Sequence, residues 1–317
     1  MIVFDSLVVS YFPISYSLIS LSFEVGYHYM MFHNLNRISD VKVRKAIDLA
    51  IDRIALSQAL AGGKATRSLF PDYSPFFIDE TDAHGDADTA AALLDDAGWI
   101  LNSDDGKRYK DGKELTLTLV AYPHRPGLGI MQPLIAEQLE DVGFTVNSVL
   151  TGMDWSETQA YLDDETFDLM LWAQHTLPAG DPLWFLSSFF RSDGGNNHAN
   201  IASTDIDNKL DALSIAEGDE RVVQAKATHE AVLDLQPVSN LVTPYWHVGL
   251  SDRMADYQPY GADYYVIRPD LFVKQIATNG EEEFDVLEDD TSGSNKLLLS
   301  GSWAILAAVA VLSSLVM

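Results

Sequence analysis

The sequence predicts an α/β fold built on a parallel sheet, and the order of its apolar patterns carries this prediction. Strands are expected over 115–120, 144–150 and 167–172, where apolar and β-branched residues dominate. Between them, the apolar residues of 130–142 and 155–162 recur every three or four positions, which indicates helices. Strands that alternate with helices in this way imply a parallel sheet with right-handed crossovers.

Further elements are predicted on both sides of this unit. Asp40 is a suitable N-cap for one helix over 41–61, which ends where a pair of glycines follows. Another helix begins at Asp86 or Asp88 and is closed by Gly98. After the unit, the patterns predict helices over 205–215 and 219–235 and a strand over 241–250.

The composition is that of a globular protein with a strongly acidic surface. The chain has 317 residues, of which 47% are hydrophobic, and a formal net charge of −27. This charge repels nucleic acid and favours a surface that stays soluble in a salty medium, with cation binding as the alternative. The absence of cysteine excludes disulfides, thiolate metal sites and a cysteine nucleophile.

The two ends of the chain differ from its middle. Residues 1–25 are apolar and rich in serine but lack the basic start of a secretory signal, so a cleaved signal, an anchor and an artefactual start all stay open. Residues 276–296 are predicted to be an acidic and polar linker. The uncharged residues 297–317 are long enough for a transmembrane helix, and a lipid-anchor signal is the equal alternative.

The predicted topology also indicates where a ligand binds. In open parallel sheets, ligands bind beyond the carboxyl ends of the strands, where loop residues converge. Two loops, 121–129 and 173–182, leave those ends here, and both carry histidine and turn-forming residues. No nucleophile elbow, phosphate-binding loop or dinucleotide fingerprint is present, so we expect a binding protein and not an enzyme.

Several sequence blocks resemble one known family. Residues 40–53 (DVKVRKAIDLAIDR) are similar to a signature of the family 5 extracellular solute-binding proteins. These are the dipeptide-, oligopeptide- and nickel-binding components of ABC importers. Further blocks that resemble the family follow in the family's order at 88–99, 112–117, 135–146, 167–169 and 181–186.

The resemblance implies a fold and a function for residues 26–275. The fold would be a periplasmic-binding-protein-like (type II) lobe with a mixed or parallel sheet, taken from the family's carboxyl-terminal part, so that the second lobe is incomplete. The function would be extracytoplasmic capture of a small polar, peptide or metal-bearing ligand for an ABC permease, at a cell surface to which the carboxyl-terminal segment anchors the chain. The alternative is a surface interaction or structural module of this fold that takes no part in transport.

The resemblance also bears on the class of ligand. Peptide-binding members place an aspartate a few residues before the Asp181–Pro182 dipeptide, to pair with the ammonium of the ligand, but Pro178 stands there in this chain. The loop 122–126 looks more like the nickel-type subfamily. In that subfamily a histidine near the position of His198 helps to hold metal. No cofactor is expected, and nickel or a metal chelate would be bound as the ligand.

Several side chains of these loops and strands are candidates for the site. Arg125 is suited to clamp a ligand carboxylate, and imidazole suits nickel and copper, which makes His175 and His198 candidate metal contacts. For each of them a purely structural role in a loop, or in the core for the tryptophans, is the alternative. The candidate ligand contacts are Tyr122, His124, Arg125, Trp172, His175, Trp184 and Trp246.

Overall fold

A computed structural model of the chain describes residues 2–4, 19–79, 83–260 and 267. The predicted linker 276–296 and the predicted membrane segment 297–317 lie outside these residues. Among the helices within the described ranges, none is both long and apolar enough to span a membrane.

The described part of the chain is built on one large mixed sheet. Its strands run in the order β1-β11-β3-β10-β8-β9, while β2 and β4 also pair with β11, and β5, β6 and β7 form a separate small sheet. In chain order the strands are β1 (Ile2–Phe4), β2 (Ile19–Glu24), β3 (Tyr27–His33), β4 (Gly63–Ala65), β5 (Ile100–Leu101), β6 (Arg108–Lys110), β7 (Lys113–Glu114), β8 (Thr116–Ala121), β9 (Thr145–Leu150), β10 (Leu169–His175) and β11 (Val238–Leu250).

Helices cover both faces of the large sheet. In chain order they are α1 (Val41–Ala50), α2 (Arg53–Ala59), α3 (Ala87–Asp96), α4 (Pro126–Asp141), α5 (Trp155–Asp163), α6 (Leu183–Phe190), α7 (Thr204–Ile215) and α8 (Gly218–Leu235). One core joins a face of the sheet to α1–α4 through buried residues such as Ile47 and Ile135. The other core joins the opposite face to α5–α8 through residues such as Phe185 and Val232.

The predicted strand-helix-strand unit is present in the structure. Strands β9, β8 and β10 are parallel neighbours, with α4 and α5 as the crossovers between them. Strand β3, which the sequence patterns did not indicate, lies antiparallel between β10 and β11 and makes the sheet mixed. All seven residues of β3 are buried. Because both of its faces are covered, its sequence lacks the apolar–polar alternation that marks a half-exposed strand.

Strand β11 is 13 residues long and pairs with different strands along its length. Its first half pairs with β3, and its second half pairs with β2 from Tyr245 to Leu250. Residues 19–24 of the apolar segment 1–25 therefore form a strand of this fold. The boundary that we predict at residue 25 falls between β2 and β3, which lie end to end along β11.

The single helix predicted over 41–61 is wrong, because two helices occupy this range. The backbone is extended at Ile51 and Asp52, and the Asp52 carboxylate accepts hydrogen bonds from the amides of Ile54 (2.9 Å) and Ala55 (3.1 Å). Asp52 is thus the N-cap of α2, a role in which aspartate is among the preferred residues. Apolar periodicity alone does not show this break, since it continues through Ile51.

We expect Asp52→Ala to destabilise the protein by about 1 kcal/mol, because it removes the acceptor for two amides at the start of α2. Urea denaturation would measure the change in the free energy of unfolding. Asp88→Ala is the matched control, since Asp88 lies in the first turn of α3 while Asp86 provides the cap of that helix. Equal losses in the two variants would contradict the capping role.

Candidate functional site

The carboxyl ends of β8 and β10 and the start of β3 lie at one edge of the large sheet. The structure brings three of the predicted site residues together there, around the ring of Tyr27. The Tyr27 ring meets the rings of His175 and Trp246 edge-on, with 6.5 Å between centroids in both pairs. Arg125 contacts the same ring from the loop after β8. We call Tyr27, Arg125, His175 and Trp246 the Tyr27 group.

Arg125 is the cationic side chain of the Tyr27 group. Its Nε donates a hydrogen bond to the hydroxyl of Tyr27, and its guanidinium carbon lies 5.2 Å from the centre of that ring. Burial opposes the charge of Arg125, but the adjacent tyrosine oxygens hold its pKa above the ordinary value. Its terminal nitrogens donate no hydrogen bond to the residues that the structure describes. The two terminal nitrogens of a fixed guanidinium fork, with their four N–H donors, therefore remain for a ligand.

His175 is buried at the end of β10, directly across from Tyr27 in the register with β3. Its Nδ1 accepts a hydrogen bond from the amide of Leu177 (3.3 Å), which favours the tautomer with the proton on Nε2. Gly26 provides the space beside the ring. A Cβ at Gly26 would lie only 3.2 Å from Cε1 of His175, so a larger residue there would press on the imidazole.

A second set of predicted residues forms an aromatic cluster next to the Tyr27 group. Trp172 packs against Tyr122 (5.4 Å between centroids) and Trp155 (5.9 Å), and His124 packs against Trp155 (6.0 Å). The Tyr122 hydroxyl accepts a hydrogen bond from the amide of Ala173 (3.2 Å), and burial raises the pKa of Tyr122 above its usual range. These rings make an aromatic wall at the same edge of the sheet.

His198 and Trp184 lie outside the Tyr27 group. The ring of His198 packs on Trp172 at 4.7 Å and on Phe32 and Phe189, in the core on the α5–α8 face, and burial lowers its pKa to about 4. His175 instead continues the row of β10 residues on the α1–α4 face. The structure therefore does not bring the two candidate metal histidines together. Trp184 lies half exposed on α6, where it contacts Phe189.

No group of three or more histidine, aspartate or glutamate side chains in the described ranges is arranged to hold a metal ion. Two important aromatic residues were also absent from the sequence-based set. Trp155 follows the carboxyl end of β9, so the rule that selected the other two loops also applies to it. Tyr27 lies on β3, and the signal that could have found it is the dense aromatic run from Tyr27 to Phe32 directly after Gly26.

Comparison with known proteins was consistent with this architecture. The family model described as "Bacterial extracellular solute-binding proteins, family 5 Middle" matches residues 15–197. The nickel-binding protein NikA of Staphylococcus aureus is 23% identical over 228 residues, which are 71% of this chain and 42% of that protein.

Solved structures show the same fold at low sequence identity. NikA from Brucella suis in complex with Fe(III)-EDTA superimposes with a TM-score of 0.68 at 23% identity, covering 78% of this chain and 50% of that one. The oligopeptide-binding protein AppA from Bacillus subtilis, in complex with a nonapeptide, gives a TM-score of 0.66 at 21% identity, with coverages of 77% and 50%. The chain thus spans about half the length of these relatives.

Proposed function

Because this chain belongs to family 5 of the bacterial extracellular solute-binding proteins, we propose that it captures a small polar or metal-bearing solute outside the cytoplasm for an ABC permease. The observation that carries this proposal is the Tyr27 group, in which a cation and three flat rings converge where the carboxyl ends of β8 and β10 lie. Membrane attachment through residues 297–317 stays a prediction from the sequence.

The chemistry of the Tyr27 group favours a ligand that carries a carboxylate. The two terminal nitrogens of Arg125 match the two oxygens of a carboxylate, and Tyr27 holds the guanidinium from behind through Nε. The rings of Tyr27 and Trp246 offer apolar faces beside this charge. A peptide held by its ammonium group fits less well, since Pro178 occupies the place of the aspartate that would pair with it.

A metal chelate meets these requirements together. Its carboxylates would be held by Arg125, and the Nε2–H of His175 would donate a hydrogen bond to a further oxygen of the chelator. The relatives support both ligand classes. The Staphylococcus aureus relative is named for nickel binding, and NikA from Brucella suis was solved with Fe(III)-EDTA. AppA was solved with a nonapeptide. The metal is cargo in this proposal, and the protein holds it through the chelator.

Thermal unfolding and isothermal titration calorimetry test the proposed function. The probes are Ni(II)-bis(L-histidine), Fe(III)-EDTA, a nonapeptide and nickel chloride. We expect a chelate to bind and to stabilise the fold by about 2.7 kcal/mol at a hundred times its Kd, because it binds only the folded state. Nickel chloride should produce a much smaller shift. If none of the four probes binds, the capture function fails and the chain is a module of this fold without it.

A further inference from the structure

Residues 66–79 form a loop that crosses the α8 side of the sheet, and we call it the strap. Its beginning is tied to β11, where the amide of Thr66 donates to the carbonyl of Leu241 (3.2 Å) and Asn240 donates to the carbonyl of Arg67 (3.1 Å). Within the strap, the rings of Phe70 and Phe76 pack edge-on at 5.8 Å. The strap is therefore a packed segment and not an open loop.

One buried histidine of α8 fastens the strap at two points. The Nε2 of His229 accepts a hydrogen bond from the amide of Leu69 (2.9 Å), and its Nδ1 donates to the carbonyl of Phe76 (3.4 Å). The ring is fully buried and packs edge-on against Phe70 at 5.4 Å. Both ring nitrogens are used, so His229 holds the two halves of the strap in one position.

The tip of the strap reaches the Tyr27 group. A Cβ built on Gly26 would lie 3.3 Å from the hydroxyl of Tyr73 and 3.2 Å from Cε1 of His175, so both groups face the same small space. Next to it, Lys64 pairs with Asp72 of the strap and also with Glu24 at 2.6 Å. This ion-pair cluster holds the tip from the side that His229 does not reach.

We propose that Tyr73 is a further ligand contact, and that His229 is a positioning residue which acts on the ligand through the strap. This inference rests on the proposed function, because it adds a residue to the same site. Tyr73 is 52% exposed, and its hydroxyl faces the same space as His175, beside which a ligand held by Arg125 and His175 would lie. Burial, together with the charges of Glu24 and Asp72, raises the pKa of Tyr73, so its hydroxyl stays protonated and donates to a carboxylate oxygen.

Substitutions of both residues test this arrangement, with calorimetry on the chelate that the unaltered chain binds. We expect Tyr73→Phe to weaken binding about tenfold, since one hydrogen bond to a charged acceptor is lost. His229→Leu should weaken binding by a similar factor, while His229→Gln, which offers both an acceptor and a donor, should retain most of the affinity. Tyr109→Phe is the control, because Tyr109 bonds to Asp105 in the small sheet.

A double variant separates positioning from a general loss of structure. If His229 acts through Tyr73, then Tyr73→Ala combined with His229→Leu should bind no more weakly than Tyr73→Ala alone. Hydrogen exchange of residues 66–79 should accelerate in His229→Leu and stay slow in His229→Gln.

Fully additive losses of binding free energy, or unchanged affinity in His229→Leu with a loosened strap, would overturn the positioning role. Unchanged affinity in Tyr73→Phe and Tyr73→Ala would overturn the contact. Absence of binding by the unaltered chain overturns the proposed function itself, and this inference with it.

Discussion

Replacing Arg125 with alanine is expected to weaken the binding of a carboxylate-bearing chelate by roughly a hundredfold. The substitution removes a charged, fork-shaped donor, and truncating one partner of a buried, hydrogen-bonded charge pair costs about 2–5 kcal/mol. Arg125→Lys should recover only part of the affinity, because an ammonium lacks the planar fork that bonds to Tyr27 through Nε and presents two further nitrogens to a carboxylate. Titration calorimetry on each variant would measure the ratio of Kd values.

Arg191→Ala provides the matched control for Arg125. Arg191 is paired with the exposed Asp193 and Asp211 on the protein surface. Its removal therefore changes the net charge by the same amount without affecting the Tyr27 group. The control should bind the chelate with the Kd of the unaltered chain. A tenfold or larger loss in Arg191→Ala would mean that the affinity reflects overall charge, and the assignment of Arg125 would then fail.

The sequence was sufficient to predict that Arg125 and His175 lie close together. Each follows a strand of a predicted parallel unit, and parallel neighbours place their carboxyl ends at one edge. Nothing more than local periodicity and element order was needed for that step. The same reasoning placed Tyr122 and His124 at this edge, where the structure has them in an aromatic cluster with Trp172.

Tyr27 and Trp246 complete the group through long-range pairing, which local patterns do not reveal. Tyr27 belongs to β3, and Trp246 to the half of β11 that pairs with β2. Strands β2 and β11 pair although they lie more than 200 residues apart in the chain. Strand β3 is buried between two other strands, so its sequence shows no apolar–polar alternation. Trp246 was selected as a large aromatic near a strand, but its contact with Tyr27 depends on this register.

A buried charged side chain is the other feature that the sequence patterns do not reveal. Arg53 begins α2 with no exposed surface, and it donates to the carbonyl of Asn240 (2.6 Å) and to the carboxylate of Asp48. Arginine is almost never fully buried unless it is paired, so a sequence pattern treats such a position as exposed. The break between α1 and α2 lies beside this ion pair. The break between the two helices thus coincides with tertiary contacts, which helix propensity does not describe.

Acidification from pH 7.5 to pH 5 is expected to destabilise the fold strongly, because it contains buried neutral histidines. Burial is the main cause that lowers the pKa of His28, His33 and His229 to about 3. For His28, the nearby charges of His175 and His229 lower it further. All three side chains have no exposed surface. His33 bonds to Ser239 at 3.0 Å, and His28 bonds to Thr243 at 3.1 Å, so each ring is held in the core in its neutral form.

The sign of the effect follows from where the protons bind. Near neutral pH both states carry neutral imidazoles, and the histidines contribute no pH dependence. As the pH falls below about 6.5, the unfolded chain takes up protons that the folded chain refuses, and stability is lost until the folded pKa of about 3 is reached. At pH 5 the loss amounts to about 2 kcal/mol for each histidine, or roughly 4–6 kcal/mol together. Most carboxylates stay charged between pH 7.5 and pH 5. The repulsion among the acidic surface groups therefore changes little, and it offsets little of the stability that the histidines lose.

Urea denaturation at fixed salt, repeated at half-unit steps of pH, would measure this loss as the slope of unfolding free energy against pH. His229→Gln should reduce the slope by about a third, because glutamine keeps the two strap bonds and takes up no proton. His84→Gln is the control, since the His84 side chain is exposed.

A flat profile of unfolding free energy between pH 7.5 and pH 5 would show that these rings are hydrated or already charged in the folded protein. An unchanged slope in His229→Gln would show that His229 is not among the groups responsible. The same variant thus separates the two consequences of His229, since it should retain the ligand affinity that depends on the strap while it loses its share of the acid sensitivity.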